Sequence, residues 1–242
     1  MTRRYNKLIF IALILMLINT QAAYGGVVNM DINGNSVETL EILFLLTIIT
    51  LLPSLLIMMS SFTRIIIVLS FVKNALGLQQ TPPNQVLIGI AIFLTLFTMS
   101  PVIEEINTTA YEPYKNEEIS QEEFLDTASI PIKTWMLKQT GSDELQMFLD
   151  MSRDEAYKET ENIDELPLTI IIPSFITSEL KRAFIIGFLL YIPFLIIDMI
   201  VSSVLMSMGM MMLPPVMISM PFKILLFVVV DGWSLLFKTL IT

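Results

Sequence analysis

The sequence predicts an all-α membrane protein: helical hairpins with a small acidic helical insert between them. Three observations carry this. Hydrophobic residues make up 54% of the 242 and charged residues only 15%, with a mean hydropathy of +0.72, which no ordinary soluble domain shows. The uncharged apolar stretches come in two pairs, each with the length of a helical hairpin. Charge is concentrated between the pairs, where Glu104 to Glu165 holds 17 acidic and 5 basic residues.

At the N-terminus, Arg3, Arg4 and Lys7 precede an uncharged apolar core, Leu8–Ile18, and then the small residues of "NTQAAYGG". Eleven apolar residues are too few to span a bilayer, so residues 1–25 are expected to be a signal peptide cleaved near Ala22 to Gly25. The first helical hairpin region is expected at 26–105. It contains the uncharged runs Ile42–Thr63 and Asn74–Ile103, the second broken by "TPPN" at Thr81–Asn84. An acidic extracytoplasmic insert follows at 106–168. Ser120 with Glu123 forms a capping-box pattern, and Ser142-Asp143-Glu144 reads as a helix start whose apolar side would hold Phe148, Leu149 and Met151. The second hairpin region, 169–242, carries the uncharged runs Ala183–Ile197, Met199–Phe222 and Ile224–Val230. With the insert outside, Lys73 falls on the inner side, in agreement with the positive-inside tendency.

The two hairpin turns align without gaps at an offset of 132. "ALGLQQTPPNQV" (Ala75–Val86) lies on "SMGMMMLPPVMI" (Ser207–Ile218), placing Gly77 on Gly209 and Pro82-Pro83 on Pro214-Pro215. A glycine can close a helix in the left-handed region and prolines can start the next, so both turns are predicted to share one frame. An internal duplication accounts for the match. The copies differ where it matters: Leu78-Gln79-Gln80 stands against Met210-Met211-Met212. Seven of the seventeen residues from Val204 to Met220 are methionine. A core that needed only filling would use residues with better-defined rotamers.

Charges within the apolar pairs are costly in hydrocarbon, about 2.5–3.5 kcal/mol each on insertion scales, so they are expected to face protein or water. Arg64, Asp198 and Asp231 are read as buried polar groups. Glu179, just before the second hairpin's first uncharged run, and Lys223, just before its last, are expected to pair across that hairpin.

The sequence has no cysteine and no histidine. Thiol chemistry, Cys/His metal sites and a histidine base are thereby excluded, and no cofactor or metal is expected. A net charge of −9 argues against nucleic acid as a partner. Two function classes fit these residues: a structural pore subunit for protein export, or a small-solute secondary transporter built from a repeated hairpin with a site near Asp198.

Two long runs resemble one family. "MSSFTRIIIVLSFVKNALGLQQTPPNQVLIGIAIFLTLFTMSP" (Met59–Pro101) and "YIPFLIIDMIVSSVLMSMGMMMLPPVMISMPFKILLFVVVDGW" (Tyr191–Trp233) are similar to the FliP family of flagellar export-gate proteins, related to the R component of injectisomes. The resemblance implies a non-enzymatic subunit that forms a ring of five copies. It also implies FliQ-type and FliR-type partners, delivery by a large gate subunit and an ATPase, and unfolded exported proteins as cargo. Location would be the cell membrane, at the flagellar basal body. A methionine-rich constriction of the family's pore matches Met208, Met210, Met211 and Met212 here, and its interhelical acid–base pair matches Glu179 and Lys223. Methionine suits a yielding seal, being unbranched, rotatable at three bonds and polarizable.

Overall fold

The structure, a computed structural model, describes residues 30–32, 35–37, 39–78, 80–152, 166–210 and 212–241. The signal-peptide reading at 1–25, Gln79, Met211 and the last part of the insert (153–165) lie outside the described residues. The chain divides into two units, Met1–Pro53 and Ser54–Thr242.

In the first unit, strands β1 (Met30–Ile32) and β2 (Asn35–Val37) pair antiparallel, with Met30 opposite Val37. Among the described residues this two-stranded ribbon is the one departure from helix, and three-residue strands leave no periodic signal in a sequence. It leads into α1 (Thr39–Met58), which is apolar over Ile42–Leu51 and whose last five residues belong to the second unit. The first uncharged run is therefore not one helix. It ends at Met58, and α2 begins at Phe62.

The second unit holds α2 (Phe62–Ala75), α3 (Asn84–Lys115, with a π-turn at Asn107–Tyr111), α4 (Gln121–Gln139), α5 (Ser142–Met151), α6 (Leu168–Ser207), α7 (Pro215–Val229) and α8 (Gly232–Ile241). Helix α2 is its central post. Ile65, Val68, Leu69, Val72 and Ala75 repeat at helical spacing and are all buried, against Leu87 and Ala91 of α3, Ala183 and Phe194 of α6, and Phe227 of α7. A Cβ on Gly187 would fall 2.5 Å from the Phe71 ring, so the absence of a side chain lets α6 come against α2. A second core joins the insert to the helices: Trp135 and Met136 of α4 pack on Val102, Ile171 and Phe175, with the Trp135 and Phe175 rings 5.2 Å apart.

The insert is helical, as expected. Ser120 and Glu123 form the reciprocal capping box, the Ser120 N–H donating to Glu123 Oε2 at 2.8 Å. In α5 the start shifts by one residue. Gly141 is the cap and its N–H donates to Ser178 Oγ of α6 at 2.9 Å, while Leu145 and Leu149 face the core and Met151 is exposed.

Helices α3 and α6 are each long and apolar enough to cross a membrane, and the bent pair α7–α8, turned by 65°, adds a third span if counted as one. Helix α6 runs 40 residues without a break, about 60 Å at 1.5 Å per residue, roughly twice a hydrocarbon core. The charges at Glu179, Lys181 and Arg182 do not end it. Each of the three meets a partner on a neighbouring element or within α6.

Candidate functional site: two capped turns and the charges between the helices

Both hairpin turns close by the same main-chain bonds. After α2, the Gly77 N–H donates to Asn74 O at 3.0 Å and the Leu78 N–H to Lys73 O at 3.2 Å. After α6, the Gly209 N–H donates to Met206 O at 3.1 Å and the Met210 N–H to Leu205 O at 3.0 Å. These are the two bonds of a Schellman cap, and they require the glycine's left-handed backbone, with φ of +75° at Gly77 and +74° at Gly209. The prolines then restart the chain: Pro83 caps α3, and Pro214 caps α7, one residue earlier in the second copy.

The same glycine cap holds side chains in opposite surroundings. The first turn lies against the body, Leu78 packing on the main core and Gly77 facing Val216. The second stands clear. Nothing approaches the Cβ position of Gly209, and Met208, Met210 and Met212 are exposed, Met212 to 99%.

The charged residues form two separate clusters. At one, Glu179 is wholly buried, its Oε2 3.2 Å from Arg64 Nε and its Oε1 3.7 Å from Arg182. Arg182 also donates to Gln139 Oε1 at 2.7 Å, and Lys181 pairs with Glu144 of α5 at 2.6 Å. The bond from Lys181 holds the Glu144 carboxyl below its usual range. At the other cluster, Lys223 of α7, only 2% exposed, donates to Asp198 Oδ2 at 2.6 Å, and buried Ser219 donates to Asp198 Oδ1 at 2.5 Å.

The expected Glu179–Lys223 pair is therefore not formed within the chain. Because α6 is continuous, Glu179 lies 19 residues from the Asp198 that Lys223 meets, roughly 28 Å along the axis. The turn itself held the better signal. Asp198 lies ten residues before the α6 cap at Met208, and Lys223 nine after the α7 cap at Pro214, so the two stand at one height. Of the other expected buried groups, Arg64 is buried and Asp198 partly so, but Asp231 is exposed. It occupies the left-handed bend between α7 and α8, at φ 50°, where its side chain is turned out. Ser219, Gln139 and Glu144 take part in these clusters without having been legible as site residues. Among the described residues, no group of three acidic side chains is placed to hold a metal ion.

Two helices and a bent pair long and apolar enough to span a membrane, with ion pairs between α2 and α6 and between α6 and α7, define a helical membrane protein. The sequence model of the FliP family matches residues 45–240. The chain belongs to the FliP family. It is 53% identical to the flagellar biosynthetic protein FliP of Bacillus subtilis (strain 168) over 86% of this chain and 92% of that protein. The protein of the same name from Aquifex aeolicus (strain VF5) is 49% identical, over 86% of this chain and 87% of its own. The one from Pectobacterium carotovorum subsp. carotovorum is 46% identical, over 99% and 92%.

Proposed function

We propose that this chain is a non-enzymatic, pore-forming subunit of the flagellar protein export gate. It works in a ring of copies, five by family resemblance, together with FliQ-type and FliR-type subunits. Unfolded proteins delivered by the large gate subunit and the ATPase pass through that ring. On this reading residues 1–25 are a cleaved signal peptide, 106–168 face away from the cytoplasm, and the hairpin regions 26–105 and 169–242 build the membrane-embedded part.

The observation that carries the reading is the contrast between the two turns. One backbone frame needs no methionine, since the first copy closes with Leu78 packed inward. The second copy places Met208, Met210 and Met212 in solvent, where apolar side chains cost free energy unless something covers or uses them. Together with Met211 they would line a ring as a deformable apolar seal. The solute-transporter alternative loses its anchor, because both oxygens of Asp198 are taken by Ser219 and Lys223.

Replacing Met208, Met210 and Met212 with serine tests this. The turn is closed by main-chain bonds, so the complex should assemble at normal yield. The expected result is ion conductance through the closed complex, measured in planar bilayers or as sensitivity of growing cells to small ions. A complex that assembles, stays tight to ions and exports at the normal rate would overturn the seal.

A further inference from the structure

Beside the first turn lies a cleft of about 590 Å³ lined by Ser70, Lys73, Asn74, Gly77, Leu78, Asn84 and Val216. Lys73 is the sole basic residue between Arg64 and Lys115. Its ammonium donates to Asn84 Oδ1 at 2.9 Å, and no carboxylate pairs with it among the described residues. An ammonium has three donors, so two are left after Asn84 is served. Asn84 is also the first residue of α3, and the positive end of that helix opens at the same place. A second cavity, about 190 Å³, shares Ser70 and Asn74 with the first and continues along α2 past Ile66, Ile67 and Phe71. The two neighbouring cavities are polar and cationic at the turn and apolar along α2.

We propose that this space binds one anionic phospholipid, its phosphate at Lys73 and Asn84 and part of an acyl chain along Ile66, Ile67 and Phe71. The charge fits a phosphodiester. The polar-to-apolar order fits a headgroup followed by a chain, which neither free phosphate nor a protein carboxylate would need. A basic pocket between helices at the end of an apolar hairpin is where such headgroups are recognised. The proposal does not rest on the pore: it concerns α2 and the first turn, and a failed seal would leave it standing.

The test is native mass spectrometry of the full-length protein released from detergent, offered equal amounts of phosphatidylglycerol and phosphatidylcholine with the same acyl chains. Phosphatidylglycerol should be retained about fivefold over phosphatidylcholine, the preference one basic residue supplies near a membrane surface. Lys73→Gln should abolish the preference and Lys73→Arg should keep it. Asn74→Asp, a change at an exposed position on the rim, should also abolish it by placing an anion beside the phosphate, and serves if Lys73→Gln fails to fold. Equal retention of the two lipids, or a preference that survives both Lys73→Gln and Asn74→Asp, would overturn the site. So would displacement of the lipid by millimolar inorganic phosphate, which would make the ligand free phosphate. Carbodiimide coupling of Lys73 to a partner's carboxylate in the assembled complex would give the cleft to a protein instead.

Discussion

Removing either member of the Asp198–Lys223 pair should destabilise the chain, and the two losses should be unequal. Stranding one member of a buried ion pair costs about 3–5 kcal/mol. Asp198→Leu leaves the Lys223 ammonium at 2% exposure with no counterion, so its cost belongs at the upper end, about 4–5 kcal/mol. Lys223→Met leaves a carboxylate whose side chain is 29% open to water and still receives the Ser219 bond, so its cost falls at or below the lower end, about 2–3 kcal/mol. The double variant replaces the pair with apolar volume and should cost less than either single change. Glu179→Gln combined with Lys223→Met should instead be additive within about 0.5 kcal/mol, as expected for groups without shared partners. The assay is unfolding of the detergent-solubilised protein by titrated denaturing surfactant. Fluorescence of Trp233, packed edge-on against Phe227 of the same helix as Lys223, reports the transition. A coupling below 0.5 kcal/mol between Asp198 and Lys223, or a larger one between Glu179 and Lys223, would refute the assignment.

Two further outcomes follow from the packing and the charges. Gly187→Ala should destabilise by about 1–3 kcal/mol, because its methyl meets the Phe71 ring at 2.5 Å. Gly89→Ala on α3, where nothing lies within 4 Å, should be neutral or slightly stabilising, and the pair of thermal midpoints checks both. The Glu144 carboxyl is held low by Lys181, so the folded form has the lower pKa. The contribution of that contact is then fully present above the unfolded carboxylate pKa and lost as pH falls through the folded one. A carboxyl-carbon NMR titration of Lys181→Gln should show the Glu144 midpoint moving up, and an unmoved midpoint would remove Lys181 as the cause.

What the sequence showed plainly was whatever depends on neighbours in the chain. The Gly-x4-Pro-Pro pattern announces two caps of the same kind, and Ser120 with Glu123 announces a capping box. What it hid depends on partners far along the chain. Glu179, Lys181 and Arg182 look like a helix boundary because a run of charges beside an apolar stretch usually marks one. They sit inside α6 because Arg64, Glu144 and Gln139 meet them from 37 to 115 positions away. The expectation of a Glu179–Lys223 pair has the same origin: with Glu179 taken to lie at the start of a helix, a folded-back hairpin would set it level with Lys223, whereas in the continuous α6 it is Asp198 that stands at that level. Asp231 was misjudged for a local reason, since an acidic residue among apolar ones reads as buried unless the bend that turns it outward is known.

The paired Schellman caps bear on how freely this protein can vary. A turn held by amide-to-carbonyl bonds and one glycine asks almost nothing of the residues that follow the glycine. Met210 and its neighbours can be exchanged for other chemistry without dissolving the turn that displays them. Architecture and display are thus specified by separate positions, the first by Gly209 and Pro214, the second by what stands between. Two turns closed by the same cap can differ in task, one tip serving as a packing surface and the other displaying its side chains, and neither use disturbs the helices behind it.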